Sequence, residues 1–167
     1  FNEYGRHLAQ LEEPLTMKEH EMQSLRSLVD ALLALGAPHN TLDDFYLSFA
    51  IQQIGKEFDL LRVGADQVIN IELKSEKITA KRIKEQLQRN HYYLAHLSSD
   101  LALYTFIASD GSLFTLESNN NLIEVSLDIL LQKLRDQGEC FRGNLNSRFQ
   151  PSQFLVSPLN TPEKFLT

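Results

Sequence analysis

The stretch EFDLLRVGADQVINIELKSE, Glu57 to Glu76, contains two short runs of alternating apolar and polar residues. The segment GADQ, at positions 64–67, separates the two runs and has the composition of a tight turn. Alternation with a period of two is typical of strands, and a short turn between two strands is typical of a β-hairpin. The sequence therefore predicts strands over Glu57–Val63 and Val68–Lys74.

The centre of the turn fixes the predicted register of this hairpin. It places Asp59 opposite Glu72 and Glu57 opposite Lys74 on one face. On the other face it pairs Phe58 with Leu73 and Leu60 with Ile71. Carboxylates directly opposite each other, about 5 Å apart, repel and destabilise a strand pair. The pattern indicates either a cation held between Asp59 and Glu72 or an ordinary polar outer face with a Glu57–Lys74 ion pair.

Helical periodicity, apolar runs and turn residues predict the remaining elements. These are a helix over Thr16–Leu35, a strand over Phe45–Ile51, a helix over Thr79–Leu97, a strand over Leu101–Ser109, a further strand in SLFTLE at 112–117, a loop at NNNL, 119–122, and a helix over Ser126–Gln137. The buried side of the second helix is predicted to carry Ile83, Leu87, Leu94 and Leu97. The fold class is therefore α/β, a small mixed sheet flanked by helices in the order α-β-β-β-α-β.

Composition limits the function classes. The chain has 167 residues, which fits one domain with a sizeable core, and its net charge of −6 argues against a general nucleic-acid coat protein. The single cysteine, Cys140, excludes an intrachain disulfide and a cysteine-rich zinc site. No apolar run is long enough to span a bilayer and no signal peptide is evident, so we expect a cytoplasmic protein with no membrane partner.

A basic stripe runs through the second predicted helix. Lys81, Arg82 and Lys84 are its centre and are candidates for binding a nucleic-acid backbone. A solvated helix face is the plainer interpretation of the same charges. After Cys140 the chain loses periodicity and gains prolines, so we predict a domain over residues 1–140 and an extended tail or linker over 141–167.

The hairpin carries the resemblance to a known family. Asp59, twelve intervening residues and then Glu72-Leu73-Lys74 resemble the active-site motif of the PD-(D/E)xK nuclease superfamily. The predicted element order resembles that superfamily's restriction-endonuclease-like core. In QLQRNHYYL, Gln88 and Tyr92 resemble the Gln-x-x-x-Tyr feature of RecB-type nucleases.

Two features depart from the pattern or leave it open. The proline that often precedes the aspartate is absent, and Phe58 stands in its place. Many members also carry an acid on the first helix. Here Glu19, Glu21 and Asp30 are all candidates, and Glu57 is a further candidate for an accessory acid.

The resemblance implies a metal-dependent nuclease that hydrolyses phosphodiester bonds, in DNA rather than RNA. Asp59 and Glu72 would bind Mg²⁺ or Mn²⁺, and Lys74 would assist the attacking water. Gln88 would orient the nucleophile or a phosphate, and Tyr92 would guide the strand together with the basic stripe.

Two other readings remain beside the nuclease. One is a catalytically inactive nuclease-like module that binds nucleic acid or a partner. The other is a carboxylate-pair hydrolase such as a glycosidase, which ranks last because the chain has no tryptophan.

The final segment carries a second resemblance. SPLNTPEKFLT, at 157–167, is similar to the connector that follows an N-terminal nuclease-like domain in some bacterial ATP-dependent helicases. This similarity implies a C-terminal helicase domain in the same polypeptide. The chain itself has no Walker A sequence.

Overall fold

A computed structural model describes residues 17–149 of the chain. Within them lie three α-helices: α1 Glu19–Ala34, α2 Ala80–Leu94 and α3 Leu127–Asp136. The strands are β1 Tyr46–Ile51, β2 Lys56–Val63, β3 Val68–Lys74, β4 Leu101–Ile107, β5 Ser112–Leu116 and β6 Leu122–Val125. Two short 3₁₀ helices cover His39–Leu42 and Leu145–Arg148. No helix in this part of the chain is long and apolar enough to cross a membrane.

The six strands form one mixed sheet in the order β1-β2-β3-β4-β5-β6. Neighbouring strands are antiparallel except β3 and β4, which are parallel and are joined through α2. A parallel pair needs such a crossover because the end of the first strand and the start of the second lie at opposite ends of the pair. The predicted α/β class, with a mixed sheet flanked by helices, is confirmed.

The sequence prediction missed β6. The NNNL segment was predicted to be a loop, but its leucine, Leu122, begins a four-residue strand that pairs with β5. Asn120 has a φ of 65°, a left-handed conformation that asparagine tolerates better than most residues. It closes the turn between the two strands. So short a strand, next to three asparagines, lacks the alternation by which strands are recognised.

The sheet separates two apolar cores. On one side, alternate residues of β3 pack against α1 and α3, with Ile69, Ile71 and Leu73 meeting Leu28, Leu32 and Leu131. On the other side, Val68 and Leu61 pack with Ile83, Leu87 and Leu94 of α2. Side chains alternate between the two faces of a strand, so Asn70 and Glu72 project toward α2. Each is buried, at 0% and 1% exposure.

The hairpin of β2 and β3 has the predicted register over part of its length. Paired residues run from Val63–Val68 to Leu60–Ile71. Between these two strands no described pairing extends further, so the expected Glu57–Lys74 pair is not formed. The strands separate at Asp59 and Glu72, the position at which the sequence placed two opposed acids.

An irregularity in β2 accompanies this separation. The pairing of β1 with β2 skips Ser48 and Asp59, although the pairs on both sides of them are formed. Ser48 has a φ of 49°, a left-handed conformation that is unfavourable for serine. Phe58 consequently packs in the α2-side core, whereas Leu73 packs in the core of α1 and α3. The prediction that Phe58 and Leu73 share a face is therefore wrong.

Residues 140–149 pack on the body of the domain. Phe141 N donates to Val63 O at 2.7 Å, and Tyr46 Oη donates to Gly143 O at 2.6 Å. Leu145 and Phe149 are buried in the α2-side core. This part of the predicted tail therefore lies on the domain. The helicase-connector resemblance, at 157–167, falls outside the described residues.

Candidate active site

Asp59 lies where β2 leaves β3. Its Oδ2 accepts a hydrogen bond from the backbone N of Leu73 at 2.8 Å. In a regular antiparallel ladder a backbone N–H such as that of Leu73 donates to a backbone carbonyl of the facing strand. Here the side chain takes that role, which holds the Asp59 carboxylate between the two diverging strands.

Glu72 meets Asp59 inside the sheet. The two carboxyl groups are in contact, and the Glu72 side chain is buried beneath α2. Two carboxyl groups in contact cannot both be ionised unless a positive charge lies between them; otherwise they retain a proton. The structure therefore brings the two sequence-predicted acids together in a form that needs a cation or a proton.

Three amide side chains orient the Glu72 carboxyl group. Asn90 Nδ2 donates to Glu72 Oε1 at 2.7 Å, and Gln86 Nε2 donates to Glu72 Oε2 at 3.2 Å. Asn70 Nδ2 lies 3.4 Å from Glu72 Oε1 and donates to Leu60 O at 2.9 Å. Asn90 Nδ2 also donates to Asn70 Oδ1 at 2.7 Å. All three amides act as donors to Glu72, as expected for a pocket built around a carboxylate.

Burial raises the pKa of Glu72 to about 8, from an ordinary value of 4.5. The neighbouring Asp59 charge adds to the rise, while Lys56 and the Asn90 hydrogen bond oppose it. The ionised form of Glu72 is therefore less favourable in this site than in water, and the proton is held more strongly. A bound cation would take the place of that proton.

Lys56 is a site residue that the sequence did not indicate. Its Nζ donates to Glu57 O at 2.9 Å and lies 4.7 Å from the centre of the Phe58 ring. Burial lowers the pKa of Lys56, and the nearby Glu72 carboxyl group partly offsets that effect. The residue stands at the first position of β2, directly after a turn. Nothing in the local sequence distinguishes it from a solvated lysine.

Gln88 and Tyr92 do not meet the acids. Both are exposed, and they line a shallow depression on the outer surface of α2. Gln86 and Asn90 take the inward positions instead. Each precedes its predicted counterpart by two residues, about 200° of helical rotation. The sequence held a signal for Asn90, because this polar residue falls on the buried stripe of α2.

The three predicted basic residues lie on different sides of α2. Lys81 and Arg82 are exposed and Lys84 is half-buried. Arg82 and Arg89 stand four residues before and three after Gln86, so they lie beside it on the helix, and Arg89 also lines the depression of Gln88 and Tyr92. Lys84 is two residues from Gln86 and points away from the acids.

The acids proposed for the first helix lie away from Asp59 and Glu72. Helix α1 covers the face of β3 opposite Glu72, so Glu19, Glu21 and Asp30 are separated from it by the sheet. Glu21 Oε2 accepts a hydrogen bond from Lys18 N at 3.0 Å and caps its own helix. Glu57, the other accessory candidate, is exposed.

Asp59 and Glu72 fit a single hard cation. Within residues 17–149 no group of three or more His, Cys, Asp or Glu side chains is placed to share a metal ion. Mg²⁺ is commonly held by one or two carboxylates, with waters and substrate phosphates in its other positions. The amide donors around Glu72 favour the ionised carboxylate that such a cation needs.

Comparison with known proteins gives no relative. No family model, no curated protein and no solved structure matches this chain. The geometry of Asp59, Glu72 and the side chains around them is therefore what bears on the function.

Proposed function

We propose that this protein is a metal-dependent nuclease that hydrolyses phosphodiester bonds in DNA, with the restriction-endonuclease-like core of the RecB-type PD-(D/E)xK nucleases. One observation carries the proposal. The Asp59 carboxylate lies between the diverging ends of β2 and β3 and contacts the buried Glu72 carboxyl group. Glu72 itself stands two positions before Lys74 on β3. A protein core gains nothing in stability from two carboxyl groups in contact, so the arrangement favours a functional explanation.

Each side chain has a distinct task in this proposal. Asp59 and Glu72 hold one Mg²⁺ or Mn²⁺, which when bound stabilises negative charge on a phosphate and lowers the pKa of water. Lys74, on the same strand face as Glu72, orients the attacking water. Gln86 and Asn90 fix the direction of the Glu72 carboxylate, the support that a metal ligand needs.

The surface of α2 suits a nucleic-acid strand. Arg82 and Arg89 lie beside Gln86 on the helix, and Tyr92, at 55% exposure, offers a ring for base stacking. Lys81 and Lys84 add long-range attraction that weakens as salt rises. The resemblance at 157–167 supports a helicase domain in the same polypeptide as the source of the strand.

The test is a cleavage assay on labelled single- and double-stranded DNA with Mg²⁺, Mn²⁺ or a chelator. We expect metal-dependent cleavage that Asp59→Asn and Lys74→Ala abolish. Asp136→Asn, which removes a carboxylate from α3, is the matched control and should cleave like the wild type. Cleavage that survives both site variants would overturn the proposal.

A second candidate is an inactive nuclease-like module that binds nucleic acid or a partner. It is favoured by the 1% exposure of Glu72, whose carboxyl oxygens both already accept amide hydrogen bonds. Calorimetric titration with Mn²⁺ separates the two candidates. Binding that Asp59→Asn removes supports the nuclease, whereas no binding by the wild type supports the inactive module.

A further inference from the structure

Cationic side chains outnumber the two acids at the candidate site. The charged groups that act on the Lys56 ammonium are Glu72, Arg89, Asp59 and Lys74. Lys56 and Lys74 lie on the strands that carry Asp59 and Glu72, and Arg89 follows Gln86 by three residues on α2, so three cationic side chains lie around the two acids. A bound divalent cation would increase that surplus, which favours an anionic ligand.

The Lys56 ammonium is held over an aromatic ring. Its Nζ lies 4.7 Å from the centre of the Phe58 ring, and the one hydrogen bond described for it goes to a neutral acceptor, Glu57 O. Among residues 17–149 it forms no ion pair. An ammonium has three N–H donors, so two are left for a ligand.

Arg89 approaches the same site from α2. It follows Gln86 by three residues, so it lies beside the side chain whose amide donates to Glu72. No hydrogen bond to another described residue involves its guanidinium group, which carries five N–H donors. Glu85 shares the surface depression with Arg89 but pairs with Lys81 at 4.0 Å.

We infer that Lys56 and Arg89 together bind a phosphate of the substrate strand, next to the phosphate that is cleaved. This inference rests on the proposed nuclease function. The Lys56 ammonium lies over Phe58, the residue before Asp59, so its ligand is a neighbour of the phosphate at the acids. The guanidinium fork and the point charge of the ammonium are both suited to phosphate oxygens.

The test measures DNA binding without metal. Anisotropy of a short labelled single-stranded DNA is recorded in chelator for Lys56→Met and Arg89→Gln. The matched controls, Lys133→Met and Arg135→Gln, remove the same charges from α3 across the sheet. We expect each site variant to weaken binding about tenfold and to lower the slope of log affinity against log salt by about 0.7. Site variants that bind like their controls would overturn the inference.

Mn²⁺ titration of Lys56→Met separates a phosphate contact from a structural role. Loss of a neighbouring positive charge should leave Mn²⁺ affinity unchanged or raise it, while DNA binding falls. If both affinities fall, Lys56 supports the fold and the assignment is wrong. Arg89 is exposed, so its variant tests the site without disturbing the core.

These measurements also separate this inference from the nuclease proposal. Metal-free DNA binding that depends on Lys56 and Arg89, with no cleavage under any metal, would keep the phosphate site and reject the nuclease. Metal-dependent cleavage, with site variants that bind DNA like their controls, would keep the nuclease and reject the phosphate site.

Discussion

Asn90 donates a hydrogen bond of 2.7 Å from its Nδ2 to Glu72 Oε1, and this contact joins α2 to β3 inside the candidate site. The same amide nitrogen donates to Asn70 Oδ1 at 2.7 Å. One buried side chain therefore sets the positions of two others. The Asn90 Oδ1 atom has no hydrogen-bond partner among the described residues.

Replacement of Asn90 should destabilise the protein. Asn90→Ala leaves buried polar atoms of Glu72 and Asn70 without a donor, and we expect a loss of about 2–4 kcal/mol in the free energy of unfolding. Urea denaturation measures it. Gln88→Ala, at an exposed position on the same helix, should change that free energy by less than about 0.5 kcal/mol. Equal effects of the two substitutions would contradict the role assigned to Asn90.

The stability of the metal-free protein should fall as pH rises. Glu72 has a folded-state pKa of about 8 and an ordinary value of 4.5, so between these values the folded state binds a proton that the unfolded state has released. Its contribution is fully present below 4.5 and is lost as pH rises toward 8. One full proton corresponds to a slope of about 1.4 kcal/mol per pH unit.

Urea denaturation in chelator across this pH range tests the prediction. Glu72→Gln removes the titrating group but keeps the shape of the side chain, so its slope should be much flatter than that of the wild type. Equal slopes for the two proteins would mean that Glu72 is ionised in the folded state.

Mn²⁺ should stabilise the folded protein through the two acids. A ligand that binds only the folded state raises stability by about 2.7 kcal/mol at one hundred times its dissociation constant. We therefore expect a higher melting temperature at pH 8 when Mn²⁺ is added. Asp59→Asn should remove this increase, and Asp136→Asn should retain it. An equal increase in both variants would place the metal elsewhere.

Two substitutions of Ser48 should change the free energy of unfolding in opposite directions. Its φ of 49° suits glycine and disfavours β-branched residues. Its Oγ is also buried without a hydrogen-bond partner among the described residues. Ser48→Gly should raise the free energy of unfolding by about 0.5–1 kcal/mol, and Ser48→Val should lower it by more than about 1 kcal/mol. Thermal melting of both variants checks the signs.

The register of the hairpin was predictable because turn composition and alternation act locally. A one-residue shift would have moved Leu60 and Ile71 to the other face, so the apolar pattern specifies the pairing strongly. The end of that pairing at Asp59 was not predictable. It accompanies the left-handed Ser48, on a strand that the hairpin sequence does not contain.

The buried side of α2 was predicted from its apolar residues. Ile83, Leu87 and Leu94 mark the inward side, and Asn90 lies among them. The resemblance to a Gln-x-x-x-Tyr pattern implied roles for Gln88 and Tyr92. The buried side of α2 does not include these two residues, which lie on its exposed surface. The phosphate-site residues Lys56 and Arg89 come from separate elements, so only the folded chain brings them together.

Phe149 has a mechanical consequence for the strand that bears Asp59. Its ring lies 5.3 Å from Phe49 and 6.3 Å from Phe58, between centroids, and these two residues adjoin the unpaired Ser48 and Asp59. Phe149 thus packs against both β1 and β2 next to the irregularity. A load on Phe149 would therefore reach the strand of Asp59 through two aromatic contacts and would also reach His96, just after α2, whose ring lies 5.0 Å from that of Phe149.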